Sequence, residues 1–128
     1  MKFVLMMHTP AGGEYQILSW PKKAIEAHVG FMMELNKKLR AAGELVDVVG
    51  LSSPAQGKLV KAGKDGKPIT DGVFPESKEF LAGYWIVDVP DAERAYQIAA
   101  EASQAPGVDG KPLYLSLEVR AIGVAPKP

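Results

Sequence analysis

The sequence has no cysteine. Disulfide bonds, thiolate nucleophiles and cysteine-ligated zinc or iron–sulfur centres are therefore excluded. An excess of charge is also missing, because 15 Lys and Arg residues balance 15 Asp and Glu residues. Nucleic-acid binders use excess positive charge to displace counterions from phosphates, so we expect no nucleic-acid partner.

Long apolar runs and cofactor motifs are missing too. No stretch approaches the roughly 20 apolar residues that span a bilayer, and the apolar run 3–7 is shorter than the about 7–15 residues of a secretory signal. We therefore expect a cytoplasmic protein with no membrane partner. Phosphate-binding, dinucleotide-binding, nucleophile-elbow and zinc spacings are absent, so no cofactor or metal is expected.

The residues that are present suit one packed domain. The chain has 128 residues, of which 47% are hydrophobic, which suffices for a single core. We predict one domain over residues 1–124 and a short C-terminal tail over 125–128.

Hydrophobic patterning predicts an alternating order of strands and helices. The predicted elements are a strand over 2–8, a helix over 21–42, a strand over 45–51, hairpin arms over 57–62 and 68–70, a strand over 80–89, a helix from Asp91 to before Pro106, and a strand over 113–122. This order indicates an α+β, ferredoxin-like β-α-β-β-α-β fold with an inserted hairpin. Both helices should cover one face of an antiparallel sheet.

Each predicted helix has one apolar stripe and recognisable ends. Ser19 is the predicted N-cap of the first helix, Gly43 its left-handed C-terminal residue, and Asp91 the N-cap of the second. The predicted buried stripes are Ile25, His28, Met32, Leu35, Leu39 and Ala42, then Ala92, Ala95, Tyr96, Ala99 and Ala102.

The sheet face away from the helices should also be apolar. The first strand does not alternate with polar residues, and residues 84–87 are large on both faces. A monomer would expose this patch, and a second copy is the simplest cover. We therefore expect a homodimer that packs sheet against sheet.

Several segments together resemble one known family. They are 1–6, 39–43, the segment Asp71-Gly72-Val73-Phe74 through Lys78-Glu79 to Gly83-Tyr84, and Val119-Arg120 after Glu118. These residues are similar to the YCII-related, or DGPF-domain, family, most specifically over 71–88. The resemblance implies a dimeric α+β barrel. It also implies a kinship with small-molecule enzymes, including a dehydrochlorinase of chloroaromatic breakdown, for which a His–Asp pair has been suggested as the active site.

The sequence departs from that family at three places. Val73 replaces the proline of the DGPF motif, and the position of the family histidine corresponds to Met32. The family aspartate corresponds to residues 103–107, which contain no carboxylate. The resemblance therefore does not carry the catalytic pair over intact.

His28 is the first candidate for a catalytic residue, because imidazole can act as an acid or a base near neutral pH. A hydrogen-bonded packing role is the alternative. His8 could join it at a pocket mouth, and Asp71 could add a catalytic carboxylate. Asp71 could equally cap its own turn.

Three further residues are candidate ligand-binding groups. Lys78 could anchor an anion, or it could belong to a solvated loop. Glu118 and Arg120 could line a polar cavity, or they could form a cross-strand or cross-dimer ion pair.

Two functions remain open. The first is an enzyme that uses His28 for elimination or isomerisation of a small cyclic or carbonyl-bearing molecule. The second is a non-catalytic dimer that binds a metabolite or a protein. A pocket containing His28 would favour the enzyme, whereas a sealed His28 would favour the binding protein.

Overall fold

The computed structural model describes residues 1–10, 17–52, 57–72 and 79–123 of the chain. Its elements are β1 (Lys2–Pro10), a 3-10 turn (Ile17–Ser19), α1 (Lys22–Ala41), β2 (Leu45–Gly50), β3 (Lys58–Ala62), β4 (Pro68–Gly72), β5 (Glu79–Asp88), α2 (Ala92–Ala102) and β6 (Leu117–Ala121). In these ranges, no helix is long and apolar enough to cross a membrane.

Four strands form an antiparallel sheet in the order β2-β5-β1-β6, and β3 and β4 form a separate two-stranded hairpin. The first and third long strands are therefore central, as their apolar composition predicts. The α+β class, the ferredoxin-like order and the inserted hairpin are confirmed.

The core lies between the sheet and the two helices. Each of β1, β5, α1 and α2 contributes at least two nearly inaccessible apolar side chains to it. The buried cluster consists of Phe3, Leu5, Met7, Leu35, Leu39, Trp85, Val87, Val89, Ala95, Ile98, Ala99 and Ala102.

The start of α1 differs from the prediction, and Ala42, predicted to be buried, is exposed, whereas the left-handed Gly43 agrees with the prediction. Pro21 is the N-cap, and its carbonyl accepts the N–H groups of Ala24 and Ile25 at 3.0 and 3.1 Å. The predicted cap, Ser19, was wrong because Ser19 belongs to the preceding 3-10 turn. At the C-terminus, Gly43 has φ +72°, the left-handed conformation that glycine adopts without steric cost.

The cap of α2 is confirmed, and one residue of its stripe is corrected. Asp91 accepts the N–H of Arg94 at 2.9 Å. Tyr96 is 53% exposed, whereas Ile98 is 1% exposed. The buried positions Ala95, Ile98 and Ala102 follow a helical spacing of three and four residues, which leaves position 96 outside the stripe.

The last strand is shorter than predicted. Residues 113–116 lie outside β6, and Tyr114 has φ +52°. The Leu113 N–H donates to the Ala105 carbonyl, and the Ser103 hydroxyl donates to the Leu115 carbonyl at 2.8 Å. These bonds tie the segment to the end of α2, so its apolar alternation does not continue the sheet.

Candidate functional site

His28 lies in a sealed position on α1. Its side chain is 3% exposed, and Nδ1 is 2.9 Å from the Pro106 carbonyl oxygen. A carbonyl only accepts hydrogen bonds, so Nδ1 carries the proton and donates it. The Trp20 ring packs edge-on at 5.5 Å between centroids. This arrangement corresponds to the packing alternative for His28.

The two histidines lie on opposite sides of the sheet. Along β1, residues 3, 5, 7 and 9 are buried, whereas 4, 6 and 8 are half-buried. The buried set faces the helices, so His8 points to the other face. The structure therefore does not bring His8 and His28 together, and a site that uses both stays a prediction.

The remaining predicted site residues are spread over the chain. Asp71 lies in β4 of the separate hairpin, where it is exposed and faces Leu59 of β3. The turn that Asp71 was predicted to cap continues into residues outside the described ranges. Lys78 also lies outside them.

Glu118 and Arg120 form an ion pair within β6. Arg120 Nε lies 3.9 Å from Glu118 Oε2, and the side chains are 71% and 52% exposed for Arg120 and Glu118. Exposed pairs of this kind contribute little to stability. The pair lies within one strand, so it is not the predicted cross-strand pair, and the cross-dimer pair and the polar cavity stay predictions.

A cleft of ≈ 210 Å³ opens between α1 and the β2 edge of the sheet. Its lining residues are Met7, Met32, Asn36, Val48, Val49, Gly50, Ala82, Gly83, Tyr84 and Trp85. None of the five predicted site residues that the structure describes is in this lining. The lining does include Met32, which occupies the position of the family histidine.

An irregularity in β5 shapes the floor of the cleft. Met7 pairs with Gly83, but the next residue of β1 pairs with Leu81, so Ala82 is an extra residue. On the other side, the backbones of β5 and β2 approach so closely that a Cβ on Gly83 would lie 2.5 Å from the Val49 carbonyl oxygen. Only glycine fits there.

One side chain gives the cleft an oriented polar group. Trp85, which is 5% exposed, donates its indole N–H to Asn36 Oδ1 at 2.8 Å. Asn36 is half-buried on α1 and lines the cleft. Since an indole N–H only donates, the Asn36 oxygen faces Trp85 and the amide nitrogen faces away from it.

The cleft lacks charge. The described lining residues include no Asp, Glu, His, Lys or Arg. Tyr84, their one titratable group, alternates with the buried Gly83 and Trp85, so its side chain points to the other face of the sheet. Across the same described ranges, no group of three or more His, Asp or Glu residues is arranged to hold a metal ion. The cleft can therefore bind a neutral molecule, but it offers no strong acid or base.

The pKa shifts in the structure occur away from the cleft. Two hydrogen bonds from Arg94 lower the pKa of the Glu44 carboxyl below its ordinary value of 4.5, although partial burial opposes this effect. The same contact raises the pKa of Arg94. Glu44 follows the end of α1 and Arg94 lies in α2, so the pair joins these two elements.

Comparison with known proteins gives a family. No curated protein matches the chain. The model of the YCII-related domain matches residues 1–108, which is most of the chain and includes both helices and every cleft residue. This protein therefore belongs to the YCII-related domain family.

Proposed function

We propose that this protein binds a small, mostly apolar organic molecule in the cleft between α1 and the β2 edge, and that it does so as a homodimer. The cleft itself is the observation that carries the proposal. It combines an apolar lining with one oriented amide, which is the usual composition of a small-molecule site. An apolar cavity of about 150 Å³ holds benzene, so ≈ 210 Å³ accommodates a slightly larger monocyclic compound.

Binding without catalysis agrees best with the positions of the titratable groups. An acid or base must reach the reacting atoms within hydrogen-bond distance. His28 is sealed by Trp20 and Pro106, and it does not line the cleft. Elimination or isomerisation by His28 stays a prediction that would require these residues to move apart.

The apolar face of the sheet that points away from the helices supports the homodimer. Two cross-strand pairs, Val4 with Ile86 and Met6 with Tyr84, occupy the centre of this face and are only half-buried. Apolar side chains in the middle of a sheet face are typical of an interface centre. A second copy packed face to face would cover them.

The charges around this face favour one orientation of the second copy. Asp47 on β2 faces Ile86, and Arg120 on β6 faces Val4, so this row of four residues has a carboxylate at its β2 end and a guanidinium at its β6 end, with Glu118 beside that guanidinium on the same face. A twofold axis parallel to the strands brings the β2 edge of one protomer over the β6 edge of its partner. This axis pairs opposite charges, whereas a perpendicular axis pairs like charges.

The binding proposal can be tested with acetophenone as a probe and two neighbouring methionines. Met32 lines the cleft, whereas Met33 is 66% exposed. Met32→Trp should fill the cleft and weaken acetophenone binding at least about tenfold, and Met33→Trp should leave it unchanged. Two-dimensional NMR titration of the whole chain provides the measurement, with the Trp85 indole signal as a reporter. Equal binding by both variants, or signal changes confined to another part of the chain, would contradict the proposal.

A further inference from the structure

We infer that the ligand of the cleft carries a neutral hydrogen-bond acceptor, such as a ketone, ester or amide carbonyl, and that Asn36 Nδ2 selects it by donating a hydrogen bond. This inference rests on the proposed function, because it assigns a ligand class to the same cleft. The relationship that carries it is the contact between Trp85 on β5 and Asn36 on α1.

The carboxamide of Asn36 has a fixed orientation. The Trp85 indole is nearly inaccessible and offers only a hydrogen-bond donor. If the Asn36 carboxamide were flipped, its NH2 group would face the indole N–H, and neither group could accept a hydrogen bond. Asn36 Oδ1 is therefore held by Trp85. The Nδ2 group makes no hydrogen bond to any residue in the described ranges, and it is the polar group of this side chain left for a ligand.

The uncharged side chains that line the rest of the cleft favour a neutral ligand. A carboxylate or phosphate group entering the cleft would lose its hydration without meeting a cation, because no Lys or Arg is among the described lining residues. An ammonium group would likewise find no carboxylate there. A neutral acceptor avoids both costs.

A purely apolar ligand is also disfavoured. It would displace water from Asn36 Nδ2 and leave the amide donors without a partner. A site built around a hydrogen bond discriminates against analogues that lack the matching group. We expect a carbonyl compound to bind about tenfold more tightly than its hydrocarbon analogue, which is the effect of one typical hydrogen bond.

Three probes of similar size test this ligand class: acetophenone, ethylbenzene and benzoate. Binding to the whole chain is measured by NMR titration. We expect acetophenone to bind about tenfold more tightly than ethylbenzene, and benzoate to bind most weakly. Equal affinities for acetophenone and ethylbenzene overturn the inference but leave the proposed function standing. Failure of all three probes to bind at the cleft overturns both.

Substitutions of Asn36 identify the donor. Asn36→Asp keeps an oxygen for Trp85 but replaces the amide donors with an anionic oxygen. This variant should lose the preference for acetophenone and gain affinity for benzylammonium, whereas wild type should not bind that cation. Asn36→Leu should bind acetophenone and ethylbenzene equally. An unchanged preference for acetophenone in either folded variant overturns the role of Asn36.

Trp85→Phe tests whether the indole acts as a positioning group. Loss of the N–H leaves the Asn36 carboxamide free to turn either way. The ratio of acetophenone to ethylbenzene affinity should therefore fall about threefold or more, in addition to any general loss of affinity. A change in both affinities by the same factor would mean that Trp85 acts only through packing.

Discussion

Arg94 holds the Glu44 carboxylate with two parallel hydrogen bonds, from Nε to Oε2 at 2.7 Å and from Nη2 to Oε1 at 2.8 Å. Glu44 comes directly after Gly43, and its own N–H donates to the Leu39 carbonyl at 2.9 Å. The contact therefore joins the end of α1 to α2. The Glu44 side chain is only 14% exposed, so solvent screens this pair less than an ordinary surface pair.

Replacing Glu44 with Gln should lower the free energy of unfolding at pH 7 by about 1 kcal/mol. Because the folded-state pKa of Glu44 lies below 4.5, its contribution is complete above that pH and disappears as the pH falls through the folded-state value. The difference between wild type and variant should therefore shrink on acidification from pH 5 to pH 3. Urea denaturation at each pH provides the measurement.

Glu118→Gln is the matched control for this effect. Its partner lies at 3.9 Å and both side chains are exposed, so stability should change by less than about 0.5 kcal/mol. An equal loss for the two variants would show that general charge, rather than the Arg94 contact, explains the result.

The close approach of β5 to β2 predicts a sharp difference between two glycines that face each other. Gly83→Ala should cost about 2 kcal/mol or more, because its Cβ would lie 2.5 Å from a backbone oxygen that cannot rotate away. Gly50→Ala should be tolerated, since no atom lies within 4 Å of its Cβ position. Thermal unfolding of both variants checks this. Similar melting temperatures would mean that the strands can separate at no cost.

Most of the fold could be predicted because it depends on patterns that are local in sequence. The 3.6-residue period indicated the helix stripes, and the Lys64-Asp65-Gly66 turn indicated the hairpin, where Gly66 has φ +79°. The error at the last strand arose because contacts outside the sheet override the local pattern. Leu113 belongs to this segment, and its N–H donates to the carbonyl of Ala105, three residues after the end of α2, instead of to a neighbouring strand.

The candidate site was harder to predict for a chemical reason. Sequence reasoning favoured titratable residues such as His28, whereas the cleft is lined by aliphatic, aromatic and amide groups that have no catalytic signature. Two signals could have indicated it. Asn36 lies four residues after Met32 and next to Leu35, so a polar side chain borders the buried stripe. Gly83 interrupts an otherwise apolar strand, which is typical of a bulge or a close backbone approach.

A structural role for His28 makes a prediction that separates it from a catalytic or ligand-binding role. His28→Phe removes the donor to the Pro106 carbonyl and should reduce the free energy of unfolding by about 2 kcal/mol. Acetophenone affinity should change less than twofold, because His28 does not line the cleft. Denaturation and NMR titration give the two measurements. Intact stability with abolished binding would instead make His28 part of the site.

His8→Gln is the control for the His28 variant. His8 is half-buried on the other face of the sheet, so this substitution should change stability by about 0.5 kcal/mol or less. A large loss of stability would show that His8 takes part in a contact outside the described residues or across the proposed dimer interface. Sedimentation at several protein concentrations distinguishes these two causes.

The proposed dimer makes the most direct prediction, since a charge placed at the centre of the apolar face should prevent association. Ile86→Asp should weaken dimerisation at least about a hundredfold, because the new carboxylate would be buried in the interface beside the like charge of Asp47. Analytical ultracentrifugation gives the dissociation constant. A wild-type protein that stays monomeric at high concentration would remove the basis of this proposal.

The orientation of the dimer can be tested with a charge reversal at each edge. Arg120→Asp should weaken dimerisation about tenfold, because the new carboxylate would lie against Asp47 of the second copy when the twofold axis runs parallel to the strands. Adding Asp47→Arg should restore the affinity, since each edge then meets the opposite charge again. Arg40→Asp, at the exposed end of α1, changes the net charge equally and should have no effect. Recovered affinity in the double variant would show that the two side chains meet across the interface. A double variant that dimerises as weakly as Arg120→Asp would exclude this orientation.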